Sequence, residues 1–298
     1  MKPLANPKKS PASKSVRSGR NWGMNRRQAF IDFRLSWEGR LNRSDIVNFF
    51  HISTPQASLD ISSYTELAPG NLYYDRSARG YQPADDFKSA YPSSSAAMYL
   101  NQLLAIETGV LDKDETFVGW SPPVGCVPTP ERSVPDSIAR AVVQAIRERI
   151  GLRISYLSMK REDDEDRIVS PIGLGHDGFR WHVRAYCHKR EAFRDFVLGR
   201  INTCSIAPGV AHPDICDSAW ETQVELIIEA NPQLSSAHRL VIERDYQMKN
   251  GKARIECRQA LLFYTLKRLG LDVDNAEPSI DQHIVLRNRS EVADLLNS

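Results

Sequence analysis

The apolar residues of this chain change their period at Gly151, and that change limits the folds open to it. Before Gly151 they recur at helical spacing. Beyond it four segments alternate, 152–158, 167–174, 179–186 and 193–201. These segments are separated by the acidic turn at 161–166, by Gly175-His176-Asp177-Gly178 and by His188-Lys189-Arg190. Short strands at such spacing predict a small antiparallel barrel, and the whole chain reads as α+β. The helix that closes the first regime carries Ile138, Ala141, Val142, Ala145, Ile146 and Ile150 on one face and stops at Gly151. The last part mixes an edge-like strand at 224–228, an amphipathic helix at 235–244, an apolar stretch at 253–269 and a final strand at 283–287.

With 298 residues, 41% of them hydrophobic, the chain has enough material for two or three domains and a sizeable core. The longest apolar run, Ala260 to Leu266, ends at Lys267, far short of the ~18 residues a membrane helix needs. Five scattered cysteines, Cys126, Cys187, Cys204, Cys216 and Cys257, fit reduced thiols in a cytoplasm better than a disulfide framework. Charge is distributed unevenly. Residues 1–84 hold 13 Lys and Arg against 6 Asp and Glu, and the remainder holds 26 against 31. A basic front on an acidic body points to a polyanionic partner for the front. The first twenty residues, rich in Lys, Pro and Ser, bury too little to offset their ordering entropy and read as a disordered arm.

Behind that arm, from Asn25, a helical run carries Phe30, Phe33, Leu35 and Trp37 and stops at Gly39. A short helix at 44–50 follows, with Ser44 as its cap, then the triplet His51-Ile52-Ser53. A third helix opens on Thr54-Pro55-Gln56, where Thr54 or Ser53 can cap it and Pro55 suits the first turn. Next, Leu72-Tyr73-Tyr74-Asp75 and Gly80-Tyr81 flank Arg76-Ser77-Ala78-Arg79 as a β-hairpin with a basic tip. Two helices joined by a tight turn, with a hairpin beside them, make a winged helix-turn-helix. The helix from Thr54 then lies in the major groove, with Ser53, Thr54, Gln56 and Ser58 toward base edges, while Arg43, Arg76 and Arg79 meet phosphates. A bare three-helix packing unit is the competing reading. The local positive charge and the Arg-tipped hairpin argue against it.

In the strand block, Arg180, His182, Arg184 and Tyr186 alternate with Phe179, Trp181, Val183 and Ala185, which gives one cationic and one apolar face. Tyr156 and Ser158 share a side of their strand, and Arg194 and Arg200 come from a neighbouring segment. Several Arg beside Tyr, Ser and His would hold phosphates through charge-assisted hydrogen bonds. An ordinary solvated sheet face accounts equally well for the composition.

Here the chain resembles a known family. Tyr156-x-Ser158, Arg167-x-x-Ser170-Pro171-Ile172-x-Leu174, Trp181-His182-Val183 and Gly199-Arg200-Ile201 are similar to the WYL domain, a ligand-sensing Sm/SH3-like barrel of bacterial regulators. Of the triplet that names the domain only Trp181 matches, since His182 and Val183 replace Tyr and Leu. The run from Trp37 to Asp45, then Pro55 to Asp60 and Gly70 to Arg76, resembles the BrxR and CapW group of regulators attached to phage-defence operons of the BREX and CBASS types. The resemblance implies a homodimer that represses its own operon by binding an inverted-repeat operator in double-stranded DNA. It also implies relief of repression by a phosphate-bearing effector, an oligonucleotide or nucleotide, at a site that includes Tyr156, Ser158, His176, Arg180, His182, Arg184, Arg194 and Arg200. The chain so reads as five parts: a disordered basic arm at 1–22, a winged helix-turn-helix at 23–95, a helical linker at 96–135, a WYL domain at 136–207, and an α/β extension at 208–298, which the resemblance implies helps dimerise.

Other chemistry has little support. Cys187-His188, Cys204, His212 and Cys216 lack the paired spacing of structural zinc sites, and Asp163-Asp164-Glu165-Asp166 reads as a charged hairpin tip. No phosphate-loop, nucleophile-elbow or zinc-protease motif is present, so neither a cofactor nor a catalytic residue is expected. A nucleic-acid-processing enzyme that holds a strand on its barrel, and an activator of the same architecture, remain as alternatives.

Overall fold

A computed structural model describes residues 18–130, 132–159, 165–211, 213–272 and 281–296. The chain divides into two compact units, Met1–Thr129 and Pro130–Ser298. In the first, helices α1 (Ser18–Glu38), α2 (Arg43–Phe50) and α3 (Thr54–Leu67) precede a hairpin of β1 (Leu72–Asp75) and β2 (Gly80–Pro83), then α4 (Ala96–Glu107). Helix α1 opens at Ser18, ahead of the start that apolar spacing predicts at Asn25, and residues 1–17 of the expected arm lie outside the described residues. Helix α2 is capped at Asn42, not Ser44, and the Asp45 carboxylate accepts the Asn42 N–H at 2.7 Å. His51 turns the chain in the left-handed region at φ 51°, and Ser53 caps α3 by accepting the Gln56 N–H. Leu41 and Tyr81 exchange two backbone hydrogen bonds at 2.8 Å, which fastens the hairpin to the α1–α2 connection.

Phe30, Ile31 and Leu35 of α1 pack against Ile46 of α2 and against Ala57, Ile61 and Tyr64 of α3. Helix α4, expected in a linker, joins the same unit. Its Tyr99 stacks on Trp37 at 4.2 Å with rings 3° from parallel, and Phe33, Leu103 and Val118 complete a second cluster. One buried polar network ties the unit together. The fully buried Asp32 carboxylate accepts the Tyr64 hydroxyl at 2.6 Å, the Ser89 hydroxyl at 2.6 Å and the Ala90 N–H at 2.9 Å. Asn71 donates to the Tyr64 hydroxyl at 3.2 Å and to the Lys88 carbonyl at 2.7 Å. Burial and the Asp32 hydrogen bond push the Tyr64 phenol well above its ordinary range, so it stays a donor.

In the second unit, α5 (Asp136–Glu148) covers a sheet of β3 (Ile150–Tyr156), β4 (Glu165–His176), β5 (Trp181–Cys187), β6 (Ala192–Val197) and β7 (Ile201–Ala211). All neighbours are antiparallel, in the order β6-β5-β4-β3-β7, with β6 and β7 outermost. Ile138, Val142 and Ala145 of α5 bury against Leu152, Ile154, Val169, Val183 and Ala185 of the strands. The segment 193–201 is broken by a 3-10 turn at Leu198–Arg200. Of the acidic stretch expected at a hairpin tip, residues 161–164 lie outside the described residues, while Glu165 and Asp166 belong to β4, opposite Tyr156 and Ser155.

The remainder runs α6 (Ser218–Glu221), β8 (Gln223–Ala230), α7 (Ser236–Asp245), β9 (Lys252–Arg258), α8 (Leu262–Arg268), β10 (Ile284–Leu286) and α9 (Arg289–Leu296). Strand β8 is the centre of an antiparallel sheet ordered β10-β8-β9, not the edge its sequence suggests. The apolar stretch 253–269 divides into a strand and a helix. Among the described residues no helix is long and apolar enough to cross a membrane.

Tyr64→Phe removes one donor from buried Asp32 and one acceptor from Asn71, and should cost about 1–3 kcal/mol of stability. Chemical denaturation of the two proteins measures the difference; an unchanged midpoint would mean that the network adds nothing.

Candidate nucleic-acid interface and anion cleft

Helix α3 presents a neutral, hydroxyl-rich face. Thr54 and Ser62 are exposed, Ser58 is half-buried, and Leu59 is 62% exposed between them. The Ser58, Ser62 and Thr65 hydroxyls each donate to the carbonyl four residues back, at 3.1, 3.0 and 3.0 Å, which leaves their oxygens outward as acceptors. Gln56 donates to Asp60 at 3.2 Å, and Asp60 in turn receives Arg27 of α1 in a two-point pair at 2.6 and 3.1 Å. The Gln56 amide is therefore held by its neighbours while keeping its oxygen and one N–H. Ser53 is engaged as the cap.

The hairpin tip is built by Asp75, whose carboxylate accepts the Ser77 and Ala78 N–H groups at 2.7 and 3.1 Å. Arg76 and Arg79 stand exposed on that tip, and Arg79 adopts φ 52°. Arg43 donates to the Tyr81 hydroxyl at 3.4 Å, and Tyr81 meets Tyr74 edge-on at 5.1 Å. Arg43 is thus held at the hairpin's base, beside the wing that carries the other two arginines. Leu59, which sequence reasoning passed over, is marked by being a large apolar residue outside the buried stripe Ala57-Ile61-Tyr64.

In the second unit the residues expected at one ligand face separate. A cleft of about 1160 Å³ is lined by Tyr156, Ser158, Arg184, Arg194 and Arg200. Arg167, Arg190, Asp195 and Tyr264, which sequence reasoning did not include, line it too. Arg180 lines a different cavity, and His176 and His182 line neither. His182 is only 2% exposed, and its Nε2 lies 2.9 Å from the Asp177 carboxylate. His176 accepts the Gly178 N–H at 3.2 Å and packs against Trp181. The expected apolar face also differs: Phe179 precedes β5 in a turn and is 62% exposed. Cys187, Cys204 and Cys216 form no cluster with other metal-binding groups among the described residues, and His212 lies outside them.

Within the cleft, Tyr156 is a wall residue whose hydroxyl accepts the Val197 N–H at 3.2 Å. Arg184 is clasped by Asp217 at 2.6 and 3.2 Å and by Asp195 at 3.2 Å. Burial opposes the Arg184 charge, but the two carboxylates outweigh it and raise the pKa. The Tyr264 hydroxyl faces Asp195 at 3.4 Å; burial first, then the Asp195 charge, pushes the phenol up to about 12. Arg194 is exposed and Arg200 half-buried. With Arg167, Arg184, Arg190, Arg194 and Arg200 on one cleft against the carboxylate of Asp195, the lining is strongly cationic.

The turn between β4 and β5 rests on Asp177. Burial would raise its pKa, but His182, the N–H groups of Phe179 and Arg180 and the Arg180 guanidinium together hold it well below the usual carboxylate range. A carboxylate depressed in the folded state stabilises above its unfolded pKa of about 3.9, and that stability is lost as pH falls through the folded value. Asp177→Asn should therefore be less stable than wild type at pH 5–7, and the difference should shrink below about pH 4. Unfolding titrations across that range test this; a difference independent of pH would mean the charge is not the cause.

Comparison with known proteins assigns each region. The BrxR transcriptional regulator winged helix-turn-helix domain matches residues 23–105, the WYL domain matches 137–206, and the BrxR C-terminal dimerization domain matches 223–292. The chain is 43% identical over 288 residues to the DNA-binding transcriptional repressor CapW of Pseudomonas aeruginosa, with 96% of each chain covered. It is 41% identical to the protein of that name in Stenotrophomonas maltophilia, with 91% of each covered, and 42% to that of Escherichia coli, with 95% of each covered. Among solved structures, proteasome accessory factor B/C of Arthrobacter aurescens aligns with 97% of this chain and 51% of its own, at 17% identity and a TM-score of 0.26, too distant to bear on the fold. At more than 40% identity over nearly its whole length, and with all three domains matched in order, the chain belongs to the BrxR/CapW family of WYL-domain transcriptional regulators, which are not enzymes.

Proposed function

We propose that the protein is a cytoplasmic homodimer that represses a phage-defence operon by binding an inverted-repeat operator, and that a phosphate-bearing effector in the WYL cleft releases it. The observation that carries this reading is near-full-length similarity to proteins named as DNA-binding transcriptional repressors, on a chain whose wing bears two exposed arginines. In this reading α3 enters the major groove. Gln56 offers its oxygen and one N–H to a base, Leu59 meets a thymine methyl, Thr54 accepts or donates at base edges, and Ser58 accepts there. Ser53 serves through its backbone position at the helix start, while Arg43, Arg76 and Arg79 hold phosphates. With no Lys or Arg on α3 itself, affinity rests mainly on the phosphate contacts of its surroundings. Two-fold symmetry of the dimer places the half-sites whole helical turns apart.

The effector reading assigns Arg194 and Arg200, with Arg167 and Arg190, to phosphate contacts, and Tyr156, Ser158 and Tyr264 to the walls. Arg184 reaches a ligand only by exchanging Asp195 or Asp217 for it. Closure of the five strands into a barrel would give the cleft a rigid floor. Release requires effector and DNA to favour different dimer geometries, and a coupling on the order of 1–3 kcal/mol changes operator affinity by roughly 5–150-fold.

A gel-shift on the DNA upstream of the gene's own start codon should show saturable binding that random duplex does not compete away. Equal affinity for both would overturn the reading. Arg76→Ala with Arg79→Ala should weaken binding to all sequences and, with two wings in the dimer, lower the slope of log affinity against log salt by about four. Arg194→Ala with Arg200→Ala should keep operator binding yet resist release by a single-stranded oligonucleotide of mixed sequence. Release as effective as in wild type would remove the cleft from the mechanism.

A further inference from the structure

A second cavity, of about 410 Å³, shares Tyr264 with the cleft. One wall is the turn that follows β4, with Asp177, Phe179 and Arg180; the other is α8, with Phe263, Lys267 and Arg268. Its composition is unlike an ordinary surface hollow. Two phenyl rings are left 62% and 52% exposed at its walls, a poor use of Phe179 and Phe263 unless something covers them. Around them stand four cations, counting Arg132, against a single carboxylate. That carboxylate, Asp177, is already engaged by Arg180 Nε at 3.1 Å and by His182 at 2.9 Å. Among the described residues no carboxylate lies within ion-pairing distance of Arg132, Lys267 or Arg268. Lys267 sits 5.8 Å from the Phe263 ring centre, which leaves cation and ring on the same side of the helix.

The backbone is shaped to this cavity as well. Gly178 has φ +95°, and a Cβ built there would fall 2.7 Å from the Arg268 guanidinium. The absence of a side chain at Gly178 therefore lets Arg268 pass close over the turn, and Arg180 lines the same cavity. An anion between these two guanidiniums and Lys267 would have phenyl rings within reach of any aromatic group attached to it. Exposed rings for stacking, next to cations for a phosphate, are the pairing that recognises a nucleotide unit. The volume falls in the range of small-molecule sites.

We propose that this cavity is a second ligand site, distinct from the WYL cleft, which takes a nucleotide unit with its base against Phe179 and Phe263 and its phosphate on Arg180, Lys267 and Arg268. It stands independently of the effector reading of the cleft, since Tyr264 is the one residue the two cavities share. The nucleotide unit is either a free nucleotide or the end of a strand.

Titration of the full-length protein with adenosine 5′-monophosphate, and separately with a 5′-phosphorylated single-stranded hexamer, distinguishes the two sources. Phe179→Ala should weaken the responding probe about tenfold through lost stacking. Lys267→Gln with Arg268→Gln should weaken it at least as much and flatten its salt dependence. Circular dichroism melting confirms that both variants fold; Phe179 is exposed, so its truncation leaves the core intact. The same titrations on the Arg194→Gln/Arg200→Gln protein separate the two cavities. Binding that persists there but falls in Phe179→Ala assigns it to the second cavity, whatever becomes of the cleft. Neither probe responding to Phe179→Ala would overturn the proposal. So would a Phe179→Ala effect on self-association alone, which would make the aromatic pair a contact between copies of the chain.

Discussion

Positive charge crowded around one cavity is the condition on which the second unit turns. Arg167, Arg184, Arg190, Arg194 and Arg200 line a single cleft, and guanidiniums cannot shed their charge. Repulsion among them is tolerable only because carboxylates are set among them. Asp195 lies in the cleft between Arg184 and the Tyr264 hydroxyl, and Asp217 takes Arg184 from behind in a two-point pair. Arg184 is 12% exposed and Asp217 5%, so the pair sits where removal of one partner would leave a costly uncompensated charge. Asp217 lies in the stretch between the sheet and β8, so this pair joins the β5 strand to the chain that leads into the C-terminal domain.

The first unit solves a different problem with the same chemistry. Helix α3 must show a polar face outward and yet be fixed, and its buried side carries two polar groups, Asp60 and Tyr64, among its apolar ones. Each is matched by a residue of α1: Arg27 grips Asp60 and Asp32 accepts from Tyr64. Apolar contacts alone would let the helix slide; two directional polar pairs, roughly one turn apart, fix its register and rotation. Gln56 is fixed in the same way through Asp60.

Much of this was legible in the sequence, and the rest was hidden for definable reasons. The helix-turn-helix, the hairpin and four of the five strands of the central sheet follow from local spacing and from Pro55, Gly39 and Gly151. The fifth strand, β7, went unread beyond Ile201, which closed the segment 193–201 because a 3-10 turn of three residues leaves no break in the apolar pattern. Strand β8 looked like an edge because Glu225 and Glu229 alternate with its apolar residues. In the fold they are paired across the sheet, Glu225 with Arg254 and Glu229 with Arg287. Arg167, Arg190, Asp195 and Tyr264 reach the cleft from different elements, and Tyr264 comes from another domain, so no window of sequence contains the signal. The alternation of 179–186 led to the opposite error. It placed Phe179 and Arg180 on β5 faces, whereas Asp177 and Gly178 bend the chain so that both precede the strand.

The placement of Tyr264 bears on how sensing and assembly relate. It belongs to α8, inside the region matched by the dimerization domain, yet it lines the cleft of the sheet and rests against His182 with ring centres 4.9 Å apart. Asp195, its partner, is also a partner of Arg184. An anion that draws Arg184 away from Asp195 therefore changes the environment of a side chain on the dimerization domain with no further intermediary. Linkage is reciprocal: if filling the cleft weakens the grip of the dimer on DNA by some factor, DNA must weaken ligand binding by the same factor. The affinity of the cleft measured on free protein then exceeds the affinity that operates on the operator-bound form, and the gap between the two is the coupling itself.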